Sequence, residues 1–459
     1  MCLKHLVAAL VAVALAAACT SPAQASNSDS EPPLSSSTDL TALLAFRAEL
    51  SDPLGVLRLN WSGAAPMCDW VGVTCSTRHP GRVMSLVLPD VPLQERVSSS
   101  LGNLSFLSVL NLTNTGLMGP IPTELGRLRY LNLSHNGFSG SIPDAMGNLM
   151  NLQLLDMSQN ELSGEIPPKL QNLRNLRVIR FDMNYISGSI PDSLFNSTPF
   201  LSVLRLGNNS LSGPIPSGIG SLSVLKELVL QNNNLYGPVP PGIFNMSRLQ
   251  VIALSSNNHL TGPIPDNKTL NLPMLQFLSL SRNEFRGRIP SGLAACRFLE
   301  KLSLSYNFFS DVIPAWLPTL SQLTAVSWGA NNIVGSIPEG LNNLTRLNVL
   351  DFALSNLTGR VPAELGQLKQ LSLLNFGANS LSGSIPTSLG NLSMLYLLDL
   401  SHNQLDGTVP VTLGQLQVVR FLNVEGNNLT GELDFLDALS NCQSLQLLAI
   451  SQNSYTGTN

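Results

Sequence analysis

Six side chains are the first place where this sequence could do chemistry. Asp156, Arg180 and Arg205 follow one another at 24 and 25 residues, Arg177 and Asp182 flank Arg180, and Lys226 lies further on. A guanidinium is a rigid fork that holds a carboxylate or a sulfate through two parallel hydrogen bonds. Arginines brought side by side by such a spacing would grip an acidic peptide without reacting with it. In the plainer reading Asp156 and Asp182 only balance the arginines on a solvated surface, where an ion pair contributes about 0 to 1 kcal/mol. Covalent chemistry has no comparable set of residues. The motifs G-x-S-x-G, H-E-x-x-H and G-x-x-x-x-G-K-[ST] do not occur, and the five histidines are isolated in the sequence. His135 and His402 read as surface residues, and Asp434 and Asp437 as solvated charge or helix-start preference. These residues describe a chain that binds, with no catalytic role and no cofactor or metal.

Thiol and amide chemistry comes next, and it depends on the compartment. Lys4 and His5 precede an apolar run from Leu6 to Ala18 that leads to Ala23-Gln24-Ala25. Residues 1–25 therefore read as a secretory signal peptide, and residues 26–37 as a linker. The run is shorter than the roughly 20 residues a bilayer crossing needs, and no later stretch is long and apolar enough. A bacterial lipid-attachment reading of Ala16 to Cys19 competes at this point. Export leaves Cys68, Cys75, Cys296 and Cys442 in an oxidising compartment, where four cysteines allow three pairings. Cys68 and Cys75 lie beside Trp61 and Trp70 and read as a disulfide-pinned loop. Cys296 and Cys442 each stand where equivalent segments carry Leu, so they should be buried and unpaired. Twelve N-x-S/T sequons occur. Asn60, Asn103, Asn196, Asn245, Asn343, Asn356, Asn391 and Asn428 are the expected glycan acceptors. Asn111 and Asn132 are set aside because sugar there would stand in the way of a ligand, and Asn208 and Asn267 complete the set.

What positions these residues is a repeat. From about residue 81 to 459 the chain cycles through a unit of about 24 residues, near sixteen copies with the last incomplete, marked by an asparagine ladder that includes Asn136, Asn160, Asn184, Asn307 and Asn403. In Leu302-Ser303-Leu304 both leucines should face inward and Ser303 outward on a short strand. Stacked copies would form one parallel sheet, exposing Asp156, Arg180 and Arg205 on successive strands. The ladder Asn should turn inward and pair backbone groups of the bend that would otherwise be orphaned. Gly and then Ile-Pro or Val-Pro turn the chain, since Pro fixes φ and lacks a donor. One unit, between Leu125 and Leu133, is about three residues short. Residues 38–80 break the period and carry a helical pattern at Leu40, Leu43, Leu44 and Leu50, as a cap over the first repeat would. The last strand, with Leu445, Leu448 and Ile450, should fray where no cap covers it. With 12% charged residues and a net charge of −4, nothing marks the chain for nucleic acid.

The motif Cys68-Asp69-Trp70-x-Gly72-Val73-x-Cys75 and the L-x-G-x-I-P extension of nearly every repeat resemble the plant leucine-rich-repeat receptor-like kinases, from about residue 38 onward. GLAACRFLEKLSLSYNFFSDVIPAWL from Gly292 and GELDFLDALSNCQSLQLLAISQN from Gly431 point within that family to the grass-expanded group of bacterial-resistance and flagellin-sensing receptors. The resemblance implies an α/β solenoid: a plant-type leucine-rich-repeat superhelix with a parallel β-sheet on its concave face and an amino-terminal disulfide cap. It also implies an extracellular module that binds a peptide or protein in defence or development signalling, alongside a co-receptor with a similar ectodomain. That places it in the secretory pathway, outside the cell or at its surface, and at the plasma membrane if a longer parent carries a membrane helix and a kinase. The competing functions are a secreted inhibitor of a pathogen wall-degrading enzyme and a non-signalling receptor fragment.

Overall fold

The computed structural model describes residues 36–62, 65–266 and 270–456. The expected signal peptide, nearly all of the linker, and the sequon at Asn267 lie outside them. A helix, Ser36–Ala48, opens the described chain two residues ahead of the expected cap. It buries Ala42, Leu43 and Phe46, and Trp61 and Trp70 stack beneath it at 5.3 Å. Cys68 and Cys75 form a disulfide. The strand Val73–Cys75 pairs antiparallel with Val83–Val87 and joins the cap to the array.

From Val83–Val87 onward every pairing in the main sheet is parallel, and the sheet has 17 strands including the one from the cap. Each repeat after the first contributes three residues, as at Val178–Arg180 and Val203–Arg205, and their register is unbroken: Asp156, Arg180 and Arg205 are direct neighbours across adjacent strands. The alternation follows from the pleat, which sends every second side chain to the other face. Ile179, Phe181, Leu204 and Leu206 are buried, as are their counterparts in the other repeats except the last, where Leu448 and Ile450 are half-buried.

The ladder asparagines are what permit the tight bend after each strand. Asn307 Nδ2 donates to Leu280 O and Leu304 O at 3.0 and 2.9 Å, and Asn307 Oδ1 accepts from Phe285 N at 3.0 Å. One amide thus ties its own bend to the repeat before it. The residue just ahead lies in the left-handed region even when it is not glycine, as at Tyr306 with φ 57° and Leu354 with φ 53°, a conformation that L-residues otherwise avoid. Repeat twelve lacks the amide. Ser355 stands in its place, and its hydroxyl reaches only Ala353 O, at 3.4 Å. We expect Ser355→Asn to raise stability by about 1 to 2 kcal/mol, at roughly 1 kcal/mol for each hydrogen bond restored. A thermal melt that stays flat or falls would show that the bend has relaxed to fit serine.

A second sheet, of 13 strands, runs beside the first and is built from the segments after the ladder, such as Phe308–Val312 and Asn332–Ser336. The sequence reading saw only turns there. Most of these strands carry a glycine with positive φ, Gly335 at 81° among them, whereas Phe308–Val312 has Asp311 in that position. Short 3-10 turns then bring the chain back along the convex side. A Cβ at Gly390 would lie 2.2 Å from Thr412 O, so the glycine of L-G-N-L is what lets successive turns touch. The short repeat is short on this side. Val109 pairs with Tyr130, 21 residues on, and residues 120–129 contain no helical turn, while Leu128 and Leu131 remain fully buried.

Cys296 and Cys442 are buried free thiols in the positions where other repeats carry Leu. Burial pushes the Cys296 thiol up to about 11, which removes thiolate character at neutral pH.

Candidate ligand-binding face

In each repeat the first and third residues of the strand and the residue two places further on leave toward the concave side, and outside repeats four to seven these are mostly small, amidic or apolar, with single charges at Lys301, Asp351, Asp399 and Glu425. Repeats four to seven depart from that pattern, and each candidate residue can be placed there. Arg180 and Arg205 occupy the middle column of adjacent strands, and each side chain is 37% exposed. Arg177 and Lys226 are exposed at the margin of the sheet, one position ahead of their strands. Arg177 lies over the exposed Phe200 ring at 5.8 Å.

Asp156 is not exposed, contrary to expectation. It is 5% exposed, because its Oδ1 turns back to accept from Ser158 N and Ser158 Oγ, at 3.1 and 2.6 Å, while Arg180 lies against Oδ2 at 3.6 Å. Strand alternation sets the face a side chain leaves from; the neighbouring strand decides whether it stays in water. Asp182 makes no ion pair among the described residues. Burial and then the negative charge of Asp156 raise its carboxyl above the usual carboxylate range, with the Arg205 and Arg180 charges opposing the rise.

The partner of Arg205 is a residue the sequence reading passed over. Glu227 Oε2 accepts from Arg205 Nε at 2.7 Å and lies 2.6 Å from Nη2. Glu227 belongs to the first column of the next strand, beside Val203. The signal was present as an acid in a column that is otherwise mostly apolar, but a diagonal contact between columns shows only once the register is known. Two polar atoms of the patch, Arg180 Nε and Asp182 Oδ1, are buried and make no hydrogen bond within the protein. Buried groups of this kind are few in native proteins, and a binding role is one accepted reason for them. The face therefore holds two arginines, each engaged by one acid, with a donor and an acceptor left over. It can exchange ion-pair partners with a ligand, and nothing in it can make or break a covalent bond.

Among the described residues, no cluster of His, Cys, Asp or Glu could hold a metal ion, and no helix is long and apolar enough to cross a membrane. The eight sequon asparagines expected to carry glycans are all exposed, whereas Asn111, Asn132 and Asn208 are half-buried.

Residues 36–76 match the leucine rich repeat N-terminal domain family. Seven segments, at 127–149, 151–173, 200–222, 224–246, 274–296, 298–320 and 394–416, match the Leucine Rich Repeat family. The solved plant peptide hormone receptor RGFR1, in complex with RGF2, superposes with a TM-score of 0.69 at 30% identity, over 84% of this chain and 72% of that one. Among curated proteins, the LRR receptor-like serine/threonine-protein kinase EFR of Arabidopsis thaliana is 41% identical over 95 residues, 20% of this chain and 9% of the kinase. The receptor kinase-like protein Xa21 of Oryza sativa subsp. japonica is 43% identical over 81 residues, 17% of this chain and 8% of Xa21. The matched part thus spans less than a tenth of these curated relatives, and what matches in family terms is cap and repeat. By its cap, its repeats and its extended likeness to a solved receptor ectodomain, the chain belongs to the plant leucine-rich-repeat receptor family.

Proposed function

We propose that this chain is an extracellular ligand-recognition module that binds a peptide or protein along its concave sheet, with an acidic group of the ligand held at Arg180 and Arg205. The observation that carries the reading is the patch itself: two half-exposed guanidiniums on adjacent strands, with Arg180 Nε and Asp182 Oδ1 buried and unpaired between them. Asp156, Arg177, Glu227 and Lys226 set the charge around it. The likeness to a receptor ectodomain in complex with a peptide hormone ligand supports a peptide as partner. The Cys68 to Cys75 disulfide supports a location outside the cell or at its surface. A membrane-anchored kinase parent, a co-receptor of similar build and a role in defence or development belong to the same reading.

The test is to immobilise the secreted chain, pass over it a library of extended peptides rich in Asp, Glu or sulfated Tyr, and repeat the binding with Arg180→Ala/Arg205→Ala. Thermal stability should change by about 1 kcal/mol or less, since both ion pairs are partly exposed. Affinity for a retained peptide should fall at least about tenfold, the equivalent of roughly 1.4 kcal/mol. A retained peptide that binds the double variant equally well overturns the site, and a library in which nothing is retained counts against an acidic partner.

A further inference from the structure

Asparagine occupies the middle column of the concave sheet in four repeats, at Asn111, Asn132, Asn375 and Asn423. In the first two, the residue two places on is a hydroxyl, Thr113 and Ser134, which completes a glycosylation sequon. In the other two it is Gly377 and Glu425. Concave middle-column sequons are thus confined to repeats two and three, where they are direct neighbours, Asn111 beside Asn132.

The two sequons share one local geometry. Asn111 Oδ1 accepts from Thr113 N and Oγ1 at 3.1 and 2.7 Å, and Asn132 Oδ1 accepts from Ser134 N and Oγ at 3.0 and 2.7 Å. The oxygen of each amide is held by its own sequon. The Asn111 nitrogen, the atom that would carry the sugar, bonds to no described residue, while the Asn132 amide is hydrogen-bonded to the Tyr130 hydroxyl on the same strand face, a contact that a sugar would replace. The ladder asparagines are the reverse case, with their nitrogens spent on buried carbonyls. They also cannot form sequons, because the residue two places on is an inward apolar one such as Phe309.

We propose that Asn111 and Asn132 both carry N-linked glycans, and that these cover the concave face of repeats two and three. The ligand footprint, which rests on the function proposed above, then begins at repeat four, beside Asp156. The glycans do not obstruct the binding face, as the sequence alone suggested; they mark its amino-terminal limit. Strands stack about 4.8 Å apart, so two branched sugars on neighbouring strands exclude a second chain from both.

The test needs no ligand, so its outcome is independent of the arginine experiment. The full chain is secreted from plant cells and digested, and its glycans are released enzymatically in heavy-oxygen water, which leaves a mass tag on every asparagine that carried one. Asn111 and Asn132 should be tagged in most copies. Hydroxyl-radical footprinting of intact protein should then show more oxidation at Val87, the strand neighbour of Asn111, and at Val109, both half-buried, in Thr113→Val/Ser134→Ala than in the parent chain. That pair removes both sequons but keeps both asparagines, and Asn111→Gln/Asn132→Gln serves as a second variant should the first be poorly secreted. Untagged Asn111 and Asn132 beside tagged Asn343 and Asn391 would overturn the modification. Tagged asparagines with unchanged oxidation at Val87 and Val109 would overturn the shielding.

Discussion

Asp39→Ala should destabilise the amino-terminal cap by about 3 to 5 kcal/mol, the cost of removing one partner from a buried charge pair. Asp39 is fully buried between the cap helix and the first strand. Its Oδ1 accepts from Arg82 Nη2 at 3.0 Å, and its Oδ2 from Arg82 Nε at 3.1 Å and from Val83 N at 2.7 Å. Arg82 also donates to Ser105 Oγ at 2.7 Å and lies 4.4 Å from the Phe106 ring. One carboxylate therefore joins the helix, the first strand of the array and the following repeat. Without it the buried guanidinium loses its carboxylate and the Val83 amide its acceptor. Because exposed repeat ends depend on their caps, secreted yield should fall together with the denaturation midpoint, and hydrogen exchange over residues 36–48 should quicken before the middle of the array does. Asp39→Ala/Arg82→Met should recover part of the loss, since removing both charges leaves neither stranded. If the single variant melts like the parent, the clamp does not couple cap to array.

The second large effect is expected in the middle of the ladder. Asn307→Leu keeps the size of the side chain but leaves Phe285 N without its acceptor in the interior, and takes one of two amide donors from each of Leu280 O and Leu304 O, which keep Asn283 and Asn331. A buried polar group left without a partner costs about 1 to 3 kcal/mol and a hydrogen bond lost from a carbonyl that keeps another about 1 kcal/mol or less, so the substitution should cost on the order of 3 kcal/mol. Neighbouring repeats are coupled only through their interfaces. The variant should therefore turn one cooperative unfolding transition into two, with the break near repeat ten, visible in calorimetry or in hydrogen exchange resolved along the chain. A single transition at the parent midpoint would show that water or a shifted backbone replaces the amide. Repeat twelve, which manages with Ser355, shows that the array survives one weak rung; the prediction concerns how much that rung is worth.

Most of the fold was legible because each repeat states its own structure and then says it again. In a unit such as LEKLSLSYNFFSDVIPAWLPTL, the inward leucines, the amide at Asn307 and the Pro that ends the lateral segment are all local choices, and copying them along the chain fixes the parallel stack. The cap disulfide was legible from two cysteines beside tryptophans in an exported chain. The lateral sheet was missed because its strands, Phe308–Val312 for instance, have no run of alternating residues long enough to be distinguished from a turn. They are strands because their neighbours in adjacent repeats are.

The candidate site divides along the same line. Spacing alone placed Asp156, Arg180 and Arg205 in one column on successive strands, since residues in equivalent positions of a repeat must stack. It could not assign their partners. Arg205 pairs diagonally with Glu227, Asp156 folds back on Ser158 beneath Arg180, and Asp182 and Arg180 keep an unpaired polar atom each. The period of the sequence determined which residues share a column and which face they leave from, because strand pleat and repeat length are properties of the local chain. Side-chain reach between columns, burial by the next strand and the pairing of charges were decided only in the assembled sheet, because each depends on atoms about 24 residues away whose register exists only once the repeats have stacked.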